Sequence, residues 1–224
     1  ETLARVAGGA VARAVLERAG IKVCSYTQEL GGIAAATVDL AEAGQNLFCC
    51  PDSAAALKME ARVAEVRKQG DSLGGIVVVK ASGVPAGLGE PVFDKLDADI
   101  AKALMSIGAV KGVEIGAGFS AAASLGSENN DEITPDGFVS NNAGGILAGI
   151  SNGDEIIARV AVKPIPSIAR DQRTIDRDGN PAVISVKGRH DIAAIPRINV
   201  VCEAMLGLVL ADHLLRQKAI QWTV

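Results

Sequence analysis

Apolar residues recur along this chain with two periods, and the changes between them mark its elements. From Glu1 to Ala19 they return every three or four positions (Leu3, Val6, Ala7, Ala10, Val11, Ala14, Val15), a helical stripe that Gly20 ends. Ile21 to Ala36 reads as extended, with a bend or bulge at Gly31-Gly32. Pro51-Asp52-Ser53 predicts a second helix start, with Asp52 or Ser53 as N-cap, Met59, Val63 and Val66 on the inner face, and Gly70 as its end. Gly74 to Ser82 is a β-branched run suited to a central strand. A turn over Gly83–Gly89 leads to a third helix expected over Pro91–Ile107, and Lys111–Gly116 to another strand. Gly116 to Ser140 is rich in loop residues. Glu155 to Val162 alternates as a strand, and Thr174 to Val186 predicts a hairpin around Asp178-Gly179, a dipeptide common in primed turns. Arg197 to Gln217 is a strongly apolar last helix. Strands and helices follow one another with no linker, which predicts one α+β or α/β unit over residues 1–224.

Composition narrows the function classes. The 224 residues are 49% hydrophobic but only 3% aromatic, so no base-stacking platform is visible. The net charge is −4 and the cations are scattered among acids, which argues against a nucleic-acid surface, since phosphate neutralisation needs clustered Lys and Arg. No uninterrupted apolar run reaches the ~20 residues that span a bilayer, and no signal peptide is recognisable. Cys24, Cys49, Cys50 and Cys202 lack metal-ligand spacing and read as free thiols of a reducing cytoplasm. The first residue is a glutamate inside a helical pattern, which reads as a chain trimmed from something longer.

Three motifs invite a chemical reading. Gly116, Gly118 and Ala121 form GxGxxA after a strand, but the helical stretch fails by Gly126, where a dinucleotide site needs a long helix and a second parallel strand. Asp176-Arg177-Asp178 resembles the start of a calcium loop, yet the sixth position is Pro181 and the twelfth Lys187, so a solvated turn is expected. His190 and His213 are the only histidines, too few to build a triad or zinc site. His213 sits among leucines and reads as packed or capping. His190 lies between Arg189 and Asp191, where a strand end could place a cation and a carboxylate together; a surface ion pair explains them equally well.

The most telling stretch is Ser140 to Ser167, SNNAGGILAGISNGDEIIARVAVKPIPS. A loop of small residues lets backbone N–H groups approach a ligand, and the strand after it delivers Lys163 at its end. Pro164 and Pro166 stiffen the turn that follows and expose Ser167, an arrangement suited to an anionic ligand. A strand-end lysine reaching into solvent is the plainer alternative.

Several long segments in one order, among them ETLARVAGGAVARAVL, SGVPAGLGEPVFDKLDADIAKALMSIGAVKGVEIGAGF, GSENNDEITPDGF, SNNAGGILAGISNG, VAVKPIPSI and KGRHD, strongly resemble chorismate synthase. The forms ITPDGF and GRHDIAAIPR point to the bacterial, monofunctional type. The resemblance implies an α+β fold, a chorismate synthase-like β-α-β sandwich, truncated at its N-terminus. It implies a lyase of the shikimate pathway, converting 5-enolpyruvylshikimate 3-phosphate to chorismate by 1,4-elimination of phosphate with no net redox change. The cofactor implied is reduced FMN, with NADPH used only to regenerate it. A cytoplasmic homotetramer with a small-molecule substrate, no nucleic acid and no membrane partner completes the expectation.

Position by position, the resemblance assigns flavin contacts to Gly108, Ala109, Ala148, Lys163, Pro164, Ile165, Pro166, Ser167 and Arg189, a catalytic role to Asp191, and no metal. Gly108 stands where the family often has a larger polar residue, and Ala148 where glycine is usual. The family's GESHG-like and HAD-like motifs, with their histidines, do not occur in these 224 residues. The resemblance thus implies that over a third of the enzyme lies outside them and that this chain alone is inactive. The alternative reading is a folded, oligomerising scaffold that binds FMN weakly or not at all.

Overall fold

The computed structural model describes residues 1–220. Helix α1 spans Thr2–Arg18 and ends before Gly20, as the apolar stripe predicts. Strand β1 (Lys22–Leu30) turns back through Gly31 and Gly32 into the short β2 (Ile33–Ala34). A single helical turn, α2 (Leu40–Ala43), precedes α3 (Ser53–Lys68). Asp52 is the N-cap of α3: its carboxylate accepts from the Ala55 N–H at 3.0 Å and from the Ala36 N–H at 2.9 Å. These donations hold its carboxyl below the usual range.

Strand β3 (Gly75–Ser82) follows, then α4 (Leu96–Met105) and β4 (Val110–Ile115). The third helix is shorter than its apolar pattern suggests. It starts at Leu96, whose N–H donates to the Gly149 carbonyl at 2.8 Å, so a distant loop sets its first turn. The loop-rich stretch after β4 holds a 3₁₀ helix (Gly118–Ala123), a helical turn α5 (Gly126–Asn129) and the strand pair β5 (Ile133–Thr134) and β6 (Gly137–Phe138). Hairpin β7 (Ile146–Leu147) and β8 (Ile150–Ser151) leads to β9 (Ile156–Val162). Strands β10 (Gln172–Ile175) and β11 (Pro181–Ile184) form the expected hairpin, but its loop is longer than a two-residue primed turn. Asp176 closes it by accepting from the Asp178 and Asn180 N–H groups, each at 2.9 Å, so its carboxylate is occupied by its own turn. The last helix, α6, runs Ile195–Ile220, with Pro196 in its first turn where a missing N–H costs nothing.

The main sheet has the order β2-β1-β3-β9-β4, every neighbour antiparallel. That topology excludes a Rossmann unit at Gly116–Ala121, because the glycines lead only into the six-residue 3₁₀ helix. Val77, Val79, Ala81, Ile156, Ala158 and Val160 turn one face of the sheet towards α1, α4 and α6. Tyr26, Val78 and Ile157 lie on the other face with Ala43, beside a Lys80–Glu155 ion pair and Arg159–Glu114 at 3.0 Å. The fold is α+β, with one main sheet and one helix layer among the described residues.

Helix α6 is the hub of that layer. It is long and apolar enough to cross a membrane by length and composition, which the broken apolar run in the sequence did not suggest. In the fold it packs on α1, α4, β1 and β3, and 61% of its most apolar window is buried inside the chain. His213 is buried in it and forms a hydrogen bond with Asp99 of α4, 3.1 Å between Nε2 and Oδ2, the packed role its leucine neighbours suggest. Cys202 is also buried, and loss of solvation pushes its thiol up to about 12, which makes it unreactive.

Helices α1 and α6 approach closely because Gly9 has no side chain. A Cβ at Gly9 would lie 2.6 Å from the Ala204 Cα, whereas one at Gly8 would meet nothing nearer than Leu208 at 3.8 Å. The two neighbours therefore predict opposite signs in urea unfolding. Gly8→Ala is expected to gain about 0.5–1 kcal/mol from helix propensity, and Gly9→Ala to lose about 1–3 kcal/mol through overpacking. A stabilising Gly9→Ala would contradict the close α1–α6 contact.

Candidate functional site

Strand β9 carries Lys163 to the end of the sheet. Its alternate residues Ile156, Ala158, Val160 and Val162 are buried, and Pro164, which has no N–H, stops the ladder. The Lys163 N–H donates to the Ala109 carbonyl at 2.9 Å, so Gly108-Ala109, at the exit of α4, lies beside the lysine. Ala109 has φ +73°, a left-handed conformation that turns the chain sharply from helix into β4. Lys163 is exposed and makes no ion pair among the described residues.

The turn Pro164–Ser167 is fixed from below by the segment that links α3 to β3. The Ser72 hydroxyl donates to the Ile165 carbonyl at 2.6 Å, and the Ala169 N–H to the Gly70 carbonyl at 2.9 Å. The chain returns beside it after the β10–β11 hairpin: the Val186 N–H donates to the Ile168 carbonyl at 3.2 Å, and the Leu73 N–H to the Ile192 carbonyl at 2.7 Å. Arg189, His190 and Asp191 therefore stand next to the lysine turn. They lie in the connection before α6 and not at a strand end, because β11 stops at Ile184. His190 Nε2 is 3.1 Å from the Val186 carbonyl. Asp191 does not pair with Arg189; its Oδ2 accepts from Arg197 Nη1 at 2.7 Å. Arg189 is exposed and, like Lys163, unpaired among the described residues.

Beside this cluster a cleft of about 770 Å³ opens between the first turns of α1 and α6. Leu3, Val6, Ile107, Ala109 and Ile165 make it apolar, and Arg197 brings a cation to it. The cleft is thus lined by Gly108, Ala109, Ile165 and Arg197, and the chain neighbours of Ala109's partner Lys163 and of Arg197's partner Asp191 lead to its rim. An apolar cleft with an arginine at its edge has the chemistry to take an anionic, partly apolar ligand.

Ala148 is not part of that cluster. It sits at the tip of the β7–β8 hairpin with φ +54°, followed by Gly149 at φ +84°, the paired left-handed values of a primed two-residue turn. The φ value explains why glycine suits the position. The tip rests on the start of α4, whereas Gly108-Ala109 lie at its end, about 15 Å away for a ten-residue helix. The asparagine-glycine loop is likewise separated from Lys163 by the length of β9, about 23 Å for seven residues. The two loops within Ser140–Ser167 therefore lie at opposite ends of β9.

That loop is ordered by its own chain. Asp131 accepts from the Ser140 hydroxyl at 2.6 Å and from the N–H groups of Asn142 and Ala143 at 2.7 and 2.8 Å. Asn141 donates to the Glu155 carbonyl and accepts from the Gly145 N–H, each at 2.7 Å. Partial burial pushes the Asp131 carboxyl up, but the donations from Ser140, Ala143 and Asn142 outweigh it and leave the group below the usual range. Asp131, Ser72 and Arg197 escaped the sequence reading. An acid nine residues before a glycine loop, a serine after a helix end and an arginine six residues past Asp191 are weak signals on their own.

The match to a family model described as chorismate synthase covers residues 1–215. The chain is 70% identical over 223 residues to a chorismate synthase of Desulfosudis oleivorans, covering all of this chain and 63% of that protein. It is 66% identical over 221 residues to one of Desulfatibacillum aliphaticivorans, covering 99% of this chain and 62% of the relative. A crystal structure of chorismate synthase superposes with a TM-score of 0.81 at 37% identity, over 97% of this chain and 64% of that one. The chain thus spans about 63% of the length of the relatives it matches.

The Asp131 network predicts a local loss with a defined pH sign. Its folded-state pKa lies below the unfolded value of about 3.9, so the contribution is present above that pH and is lost as pH falls through the folded value. Asp131→Ala is expected to cost about 2 kcal/mol at pH 7 and to deprotect the Asn142 and Ala143 amides in hydrogen exchange. Unchanged protection would show that the loop is held otherwise.

Proposed function

The chain belongs to the chorismate synthase family, and from that premise we propose that these residues form the flavin-facing side of an enzyme that eliminates phosphate from 5-enolpyruvylshikimate 3-phosphate to give chorismate. What supports this reading is that Ala109, bonded to Lys163, and Arg197, bonded to Asp191, line one cleft.

The donor set fits reduced FMN. Lys163 and Arg189 offer cations with no carboxylate partner among the described residues, Ser167 offers a hydroxyl, and Gly108-Ala109 and Ile165 offer backbone and apolar surface. Lys163 and Ser167 would hold the phosphate or ring oxygens, Pro164 and Pro166 keep that turn rigid, and Arg189 stands where flavin and substrate meet. Reduced flavin bound there would supply electron density for loss of phosphate and of the ring proton; NADPH would serve only to regenerate it. Asp191, held by Arg197, is the carboxylate that moves the proton. Ala148 would reach the flavin from the far end of α4. We assign the protein to the cytoplasm as a single-domain homotetramer.

For the 224 residues taken alone, a second reading is a folded, associating scaffold that does not turn over. Leu3 and Val11 on α1 are 82% and 69% exposed, apolar surface that favours self-association. The chain holds neither the GESHG-like nor the HAD-like histidine.

Two measurements test the assignment. The 224 residues alone, given reduced FMN and substrate, are expected to release no chorismate, and turnover near that of a family-length enzyme would overturn the need for further residues. In the family-length protein Asp191→Ala is expected to lower kcat by about 10²-fold or more with FMN affinity little changed, while Lys163→Ala weakens FMN binding first. A loss of flavin affinity with kcat retained at saturating FMN would move Asp191 from proton transfer to binding.

A further inference from the structure

The two segments that carry the polar groups of the site are irregular loops, fixed only where their backbone is tied. One holds Lys163 to Ser167 and the other Arg189 to Asp191. Both are tied to the same four residues between α3 and β3. The Gly70 carbonyl takes the Ala169 N–H at 2.9 Å, the Ser72 hydroxyl reaches the Ile165 carbonyl at 2.6 Å, and the Leu73 N–H reaches the Ile192 carbonyl at 2.7 Å. Leu73 also bridges to Ala193 as a parallel pair. Consecutive residues, Ser72 and Leu73, thus grip one loop each and set the distance between them.

This strap is itself anchored. Leu73 is buried in the core, the Gly74 carbonyl accepts from the Gly31 N–H at 2.9 Å, and Gly75 begins the central strand β3. Asp71 braces the other side: its carboxylate accepts from the Ser72 N–H and from Arg170 Nη1, each at 2.9 Å. The Gly70 and Leu73 contacts are backbone to backbone and survive side-chain change. Among the described residues, the Ser72 hydroxyl is the one side-chain tether from the strap to the Pro164–Ser167 turn.

We infer that Ser72 is a positioning residue of the site, holding the Lys163–Ser167 turn at its working distance from Asp191 through the Ile165 carbonyl. The inference rests on the flavin-face reading above. It is read in the family-length protein with FMN as the titrated ligand, through Ser72→Ala and Ser72→Thr. Ser72→Ala is expected to weaken FMN binding on the order of tenfold, the scale of one lost hydrogen bond. It should also speed hydrogen exchange at Ala169, with the thermal midpoint almost unmoved, and Ser72→Thr should restore both because it keeps the hydroxyl. Equal FMN affinity in the unmodified and Ser72→Ala proteins would sink the inference and leave the flavin face intact. A loss that threonine does not restore would also sink it, pointing to general loosening. Absence of FMN binding by the unmodified protein would overturn the flavin face and the inference together.

Discussion

Everything at the site hangs on how α6 is seated. The helix lies across β1 and β3 and is gripped at three levels. Near its start, buried Asn199 donates to the Thr27 hydroxyl at 2.9 Å and to the Ile195 carbonyl at 3.3 Å. In its middle, Ala204 meets Gly9 with no side chain between the helices. Towards its end, His213 reaches Asp99. Hydrogen bonds in such a dry layer are strong and expensive to leave unmade, so they fix position and not just association. Since α6 begins at Ile195, four residues beyond Asp191, the seat of the helix decides where that carboxylate stands and where Arg197 can reach it.

The sheet contributes in a different way. Antiparallel β9 has a loop at each end, and they perform separate tasks. The asparagine-glycine loop at its start is closed by Asp131 and Asn141, so its backbone donors are spent internally. The proline turn at its finish is tied at its carbonyls and flanking amides, and among the described residues the Lys163 and Ser167 side chains make no hydrogen bond or ion pair. A rigid strand between a self-satisfied loop and an open one keeps the open one in place without filling it.

Much of the frame was legible in the residues. Alternation along β9, the β-branched run of β3, the Asp52 cap and the stripe of α1 are local signals, and each element stands where its pattern puts it, within a residue or two. The start of α4 was not legible, because it depends on the Gly149 carbonyl, more than fifty residues away in the chain. The tethers at Ser72, Asp131 and Arg197 were hidden for the same reason, since what they grip is set by tertiary approach. Resemblance supplied the roles proposed for Ala109 and Ala148 without their cause; the left-handed φ at both supplies a physical reason for small residues there. It also grouped Ala148 with Lys163, which the length of α4 separates.

Lys163 differs from the other lysines without an ion pair among the described residues in its backbone and not in its charge. A surface lysine sheds rotamer and backbone entropy when it grips an anion, and that loss offsets much of the attraction. Around Lys163 the backbone part of that loss is already met by folding: its N–H is bonded to Ala109, the next residue is a proline, and Ile165 is held by Ser72. Only the side chain remains to be ordered. The same holds for Asp191, whose neighbour Ile192 is tied to Leu73 and whose carboxylate rests on Arg197. On a chain with net charge −4, preorganisation of this kind, more than the number of charges, determines how much of each attraction to an anion survives.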